Sequence, residues 1–160
     1  TYGEHIKPDI ICLAKALSAP LPMSVVLSTS ELIDGTSKLG GTHAGNPLCC
    51  AASMANIDLM SEESFQTELK EKCAVFEKRL KDLEKYSTMK TVNVRGMIAG
   101  LIFNNADDAN KVVVECVHNG VMPVNTWSIS IKIGPPLTIS LDALNEALDV
   151  IEDSVRRVSE

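Results

Sequence analysis

Between residues 62 and 86 the apolar residues Phe65, Leu69, Phe76, Leu80 and Leu83 recur at helical intervals, with lysines and glutamates filling the positions between them. That pattern predicts one long amphipathic helix with a single apolar stripe. An α-helix rises about 1.5 Å per residue, so this one is long enough to run the length of a small domain. It divides the 160-residue chain into an upstream and a downstream part, each of which must find its own packing partners.

Upstream, residues 10–14 and 24–28 (SVVLS) read as two short apolar strands joined by a loop that carries Pro20 and Pro22. Strands apolar on both faces suggest a sheet covered on both sides, as in parallel α/β folds. A loop rich in Gly, Ser and Thr, GTSKLGGTHAG, follows. Asn46 and Pro47 then form an N-cap and first-turn pair that opens the helix PLCCAASMANIDLM. Its small residues Ala51, Ala52, Ser53 and Ala55 allow close packing.

Downstream, TVNV and MIAGLIF are predicted strands on either side of Arg95 and Gly96. A helix from about Ala106 stops at Asn119 and Gly120. VMPV and SISIKI are further strands, and Pro135 and Pro136 end the sheet. Ser140 caps a last helix whose Leu141, Leu144, Leu148, Ile151, Val155 and Val158 keep helical spacing. Alternating strands and helices predict an α/β fold. The expected organisation is residues 1–60 as the end of a larger parallel-sheet domain, 61–86 as a connecting helix, and 87–160 as a small α/β domain.

Composition narrows the function. The net charge is −6 and the 15 basic residues are scattered, which argues against a nucleic-acid surface. Five cysteines without a CxxC pair or a metal-ligand spacing read as free thiols of a reducing compartment, and no metal site is expected. No apolar run reaches the roughly 20 residues of a membrane span, and there is no signal-peptide pattern. A cytoplasmic protein is expected. The chain opens on TYGEHIKPD and runs straight into a strand, as though entered midway; processing or truncation would explain it.

Three local features carry chemistry. Lys15 ends the first apolar run, either as the exit of a strand into water or as a held amine. The segment GGTHAGNP presents Thr42 among glycines just before a helix N-terminus, a place where backbone N–H groups and the helix dipole favour phosphate. The strand IKIGPPLTIS delivers Lys132 shortly before its Pro-Pro stop.

Taken in order, PDIICLAKAL, GGTHAGNPLCCAA, VRGMIAGLIF and IKIGPPLTIS resemble the class III pyridoxal-phosphate-dependent aminotransferases of fold type I, the ornithine, acetylornithine and 4-aminobutyrate aminotransferase type. The resemblance implies the end of the large cofactor-binding domain followed by a small C-terminal α/β domain. It also implies that the family's N-terminal part is missing from this chain. That part supplies the aspartate at the pyridine nitrogen, the aromatic residue over the ring and the turn that binds most of the phosphate.

On this resemblance Lys15 is the lysine that forms the Schiff base with pyridoxal 5'-phosphate and then moves a proton at the substrate α-carbon. A free lysine, with a pKa of about 10.4, is almost all ammonium, so partial burial is expected to activate it. Thr42 matches the threonine that binds the cofactor phosphate from the neighbouring subunit, which implies a homodimer. His43 reads as packing or loop structure, with a ring-facing polar residue as the alternative, and Arg95 as a structural pair beside a strand turn.

Two departures stand out. Ser18, Ala19 and Pro20 replace the glycines that follow the lysine in many members, which predicts a stiffer loop. Lys132 stands where many members carry the arginine that grips the substrate carboxylate. An ammonium keeps the charge but loses the planar fork, so weaker selection for α-carboxylates is expected.

The implied activity is transfer of an amino group from an amine or amino acid to a 2-oxo acid, with this chain probing only part of the site and inactive alone. An aminomutase or decarboxylase on the same scaffold, or a non-catalytic α/β binding or dimerisation module, is the alternative.

Overall fold

The computed structural model describes residues 6–34 and 40–160; the first five residues and the GTSKL portion of the glycine-rich loop, 35–39, lie outside the described residues. The chain divides into two compact units, Thr1–Gln66 and Thr67–Glu160.

In the first unit, strands β1 (Ile10–Leu13) and β2 (Val25–Ser28) pair antiparallel, with Ile10 opposite Ser28 and Leu13 opposite Val25. The Ser28 hydroxyl donates to the Asp9 carbonyl at 2.6 Å and closes the open end of this ribbon. These two strands pair antiparallel, and among the described residues Ile10, Ile11, Leu13, Val26 and Leu27 are exposed.

A short helix α1 (Ser30–Ile33) follows β2, and helix α2 (Pro47–Ser61) follows the loop. Asn46 caps α2 as predicted: its Oδ1 accepts from the N–H groups of Leu48 at 2.9 Å and Cys49 at 3.4 Å. Such a cap is worth about 1 kcal/mol. Among α2 residues only Cys49 and Ser53 are buried, while Leu48, Met54, Ile57 and Leu59 are exposed.

The long helix α3 (Glu63–Lys81) forms where the apolar stripe predicts it and tightens into a 3-10 turn, Asp82–Lys85. From Thr67 onward it falls within the second unit, and Phe76, Leu80 and Leu83 lie in that unit's core.

Beyond it come β3 (Met89–Arg95), β4 (Ile98–Phe103), α4 (Ala106–His118), β5 (Val124–Asn125), β6 (Ser130–Ile133) and α5 (Leu141–Ser159). The strands form one antiparallel sheet in the order β3-β4-β6-β5. The expected VMPV strand contracts to two residues, since Pro123 has no N–H for a ladder. Gly96 turns β3 into β4 with φ +58°, and Gly120 ends α4 with φ +90°, conformations that glycine adopts without a Cβ clash.

The core joins Phe76 and Leu80 of α3, Leu101 and Phe103 of β4, Val112 of α4, Ile131 of β6, and Leu144, Leu148 and Val155 of α5. Ile131 and Ile133 point into it, so the alternation of a strand turns Lys132 to the opposite face. Lys72 is 2% exposed; its Nζ pairs with Glu68 at 2.6 Å and donates to the Leu137 carbonyl at 3.2 Å, tying α3 to the segment after the Pro-Pro stop. Arg79 of α3 meets Asp149 of α5 at 2.6 Å, and Lys85, at the end of the 3-10 turn, meets Glu152 of α5 at 2.8 Å.

Candidate active site

The first unit holds two of the three residues singled out in the sequence. Lys15 opens a 3-10 turn, Lys15–Ser18, two residues beyond Leu13, with Ala14 between β1 and the turn. Its backbone is left-handed, with φ +57°. For a side chain with a Cβ that conformation costs on the order of 1–3 kcal/mol and persists only where the surroundings hold it.

Ala19, at the other end of the turn, also has positive φ, +55° with ψ −126°. The backbone thus keeps a shape that glycine takes freely, although alanine stands there. Ser18 between them is fully buried, and its hydroxyl donates to the Leu21 carbonyl. The turn is closed further by Leu17 N–H to the Ala14 carbonyl at 3.3 Å and Ala19 N–H to the Ala16 carbonyl at 3.3 Å.

Lys15 lies on the wall of an open hollow of ≈ 570 Å³ with Ala19, Leu21 and the segment Pro22, Met23, Ser24. The partial burial expected of its amine is not met by this chain's residues: Lys15 is exposed, because the exposed ribbon beside it contributes no lid. Thr42 and His43, both exposed, line a second hollow of ≈ 860 Å³ with Gly41, Gly45 and Asn46. Pro22, Met23 and Ser24 line both hollows, so the two adjoin. His43 borders this space and is not packed into a core.

Helix α2 contributes less to anion binding than the sequence suggested. Pro47 has no N–H, the next two are taken by Asn46 Oδ1, and Cys50 N–H bonds the Asn46 carbonyl at 3.0 Å. The dipole remains, but the cap has consumed the donors. In the loop around Thr42, Gly40, Gly41 and Gly45 have open space where a Cβ would stand, and Gly45 has φ +67°.

Sequence reading missed how α2 holds the Lys15 segment. Cys49, Ser53 and Asn56 stand at i, i+4 and i+7, on one face of the helix. The Cys49 thiol reaches the Pro22 carbonyl at 3.6 Å, and the Ser53 hydroxyl lies 3.0 Å from Met23 Sδ. Asn56 Nδ2 donates to the carbonyls of Ala16 at 2.7 Å and Leu17 at 3.2 Å. The available signal was small and polar side chains at helical spacing in an otherwise apolar helix.

The remaining candidates lie in the second unit. Lys132 is exposed on β6, opposite Gly100 of β4 and Val124 of β5. Arg95 ends β3, opposite Ile98 across the Gly96 turn. Among the described residues no cluster of His, Cys, Asp and Glu is spaced to hold a metal ion. Nor is any described helix long and apolar enough to cross a membrane.

An α/β chain with a lysine aimed from a strand end and a Gly-Thr loop beside it has known counterparts. Residues 1–155 match the family described as aminotransferase class-III, and the chain belongs to that family, whose members depend on pyridoxal phosphate. It is 31% identical over 157 residues to a probable mitochondrial ornithine aminotransferase of Caenorhabditis elegans, covering 96% of this chain and 37% of that protein. It is 28% identical over 158 residues to the acetylornithine aminotransferase of Clostridium acetobutylicum, covering 95% and 40%.

Among solved structures, the acetylornithine aminotransferase of Elizabethkingia anophelis superposes with a TM-score of 0.83 at 28% identity, over 98% of this chain and 43% of that one. The ornithine aminotransferase of Toxoplasma gondii, whose structure shows partial occupancy of pyridoxal phosphate at its active site, gives 0.85 at 26% identity over 97% and 38%. The chain thus spans about two-fifths of the relatives it matches.

Proposed function

We propose that the protein carrying this chain is a pyridoxal-phosphate-dependent aminotransferase moving an amino group from an amine or amino acid to a 2-oxo acid. The observation that carries the reading is the pair of adjoining hollows, one walled by Lys15 and the other by Thr42, joined at Pro22, Met23 and Ser24. Their sizes fall in the range of small-ligand sites, about 300–1,000 Å³. The donor set fits part of the cofactor: an amine for its aldehyde, and a hydroxyl among glycines for its phosphate.

When bound, pyridoxal phosphate supplies an electron sink for charge developing at the substrate α-carbon. Lys15 Nζ would hold the cofactor at its aldehyde, and the same amine would carry a proton to and from that carbon. The left-handed turn holds this amine at the end of β1. Thr42 Oγ1 donates to the phosphate, and we assign it to the cofactor of a neighbouring subunit, so that the working unit is a homodimer.

In this reading residues 1–66 are the end of the large cofactor-binding domain. The exposed apolar faces of β1 and β2 support that, since such a patch marks a surface that packs against something. The second unit is the small C-terminal domain. Lys132, exposed on its sheet, reads the substrate carboxylate as a point charge. Five free cysteines suit a reducing, cytoplasmic setting.

Borohydride reduction of the complete protein with pyridoxal phosphate tests the assignment. The cofactor should be fixed to the peptide that contains Lys15, and Lys15→Ala should abolish turnover. Fixation at another lysine overturns the Lys15 assignment, and no fixation at all leaves a non-catalytic module. The same preparation tests Lys132: Lys132→Ala should change the kcat/KM ratio between an α-amino acid and an amine without a carboxylate, and an unchanged ratio removes it from the site.

A further inference from the structure

We propose that Asn56 is a positioning residue for Lys15, gripping the turn that aims the amine; this rests on the reading of Lys15 as the cofactor lysine. The Asn56 Nδ2 group has two hydrogens and meets two consecutive carbonyls, Ala16 at 2.7 Å and Leu17 at 3.2 Å, directly after Lys15. Two carbonyl acceptors at the same end of the amide require the nitrogen there, so the side chain has one workable orientation. The contact joins positions 40 and 39 residues apart, between a well-capped helix and a turn whose first residue is left-handed.

A strained turn keeps its shape only where several contacts hold it. Within its own segment the turn has two long backbone bonds, Leu17 N–H to the Ala14 carbonyl and Ala19 N–H to the Ala16 carbonyl, both at 3.3 Å, and the buried Ser18 hydroxyl on the Leu21 carbonyl at its far end. Cys49 and Ser53 reach Pro22 and Met23, still farther along. Among the contacts from α2 described above, Asn56 is the one that bonds inside the turn itself. Its loss frees Lys15 to leave the left-handed conformation, while Thr42 and its hollow stay in place.

The experiment uses the complete protein with Asn56→Ala and Asn56→Asp, the second keeping the shape but replacing the donor with acceptors. Three quantities are read: amide exchange of the peptide spanning residues 14–22, the rate of borohydride-trapped attachment of pyridoxal phosphate at Lys15, and the Kd of pyridoxine 5'-phosphate, which has no aldehyde to react. Losing a pair of ordinary hydrogen bonds should speed exchange and slow trapping by about tenfold each, with Asn56→Asp no better than Asn56→Ala. The Kd of pyridoxine 5'-phosphate should be unchanged.

If trapping and exchange match the parent protein, the proposal fails. A Kd that weakens in step with trapping also overturns it, because Asn56 then supports the fold at large. If the unsubstituted protein is not trapped at Lys15 at all, the reading beneath the proposal falls with it, and the exchange measurement alone then reports whether Asn56 grips the turn.

Discussion

Ile131 of β6 and Ile11 of β1 are isoleucines in short antiparallel strands of one chain, yet the first is fully buried and the second exposed. The difference lies in what surrounds each strand. In residues 67–160 the sheet has four strands, and α3, α4 and α5 close over one face to make a single core. In residues 1–66 the ribbon of β1 and β2 has no covering layer among the described residues. The hydrophobic effect rewards area removed from water, about 25 cal/mol per Å², and is indifferent to sequence once no partner surface is present. One unit therefore has a core built from its own residues. The described residues of the other show caps, turns and side-chain bonds to backbone carbonyls beside exposed apolar strand faces.

The sharpest way to break that contrast is Phe76→Ala. Phe76 is fully buried in the second unit, and truncating it should cost about 3–5 kcal/mol. Residue-resolved hydrogen exchange should show the loss throughout the second unit and leave α2 unchanged. Equal loss in both units would mean that they unfold as one, and the contrast would be wrong.

Thr42→Ala probes the open unit from the other side. A hydrogen bond to a charged group is worth about 1.5–3 kcal/mol, so retention of pyridoxal phosphate by the complete protein should weaken by that amount. The melting temperature should hardly move, since Thr42 is exposed. A mutant that keeps its cofactor but melts earlier would make Thr42 a structural residue.

The smallest effect concerns acid. Lys85 beside Glu152 holds that carboxyl below its ordinary value near 4.5, against the opposing effect of burial, with Tyr86 and Arg79 adding to the pull. A depressed folded value means that the stabilisation is present above the unfolded glutamate range and is lost as pH falls through the folded value. Glu152→Gln should therefore destabilise the second unit by about 1 kcal/mol at neutral pH and by nothing below the folded value. A constant difference between pH 7 and pH 2 would show that the charge plays no part.

The elements of this chain were legible because their signals are local. The stripe of Phe76, Leu80 and Leu83 predicts α3, Asn46 and Ser140 mark their helix starts, and Asn119 and Gly120 mark a stop. Each depends on residues a few positions apart, which is the range over which helical periodicity and capping act. Lys15, Thr42 and Lys132 were likewise singled out from short motifs. The limit of VMPV was local too, and reading Pro123 more strictly would have shortened it.

Other properties belonged to tertiary structure alone. Lys15 and Ala19 carry no sign in their side chains of left-handed backbone; glycine is the usual marker, and it is absent at both. The two carbonyls held by Asn56 lie some forty residues away in sequence, and the donors of α2 were claimed by its own cap. Residue type determined which groups could bond or be buried, because chemistry is carried by the side chain. Which of them did so was decided only when folding fixed the distances, since hydrogen bonds and burial require a partner within a few ångströms.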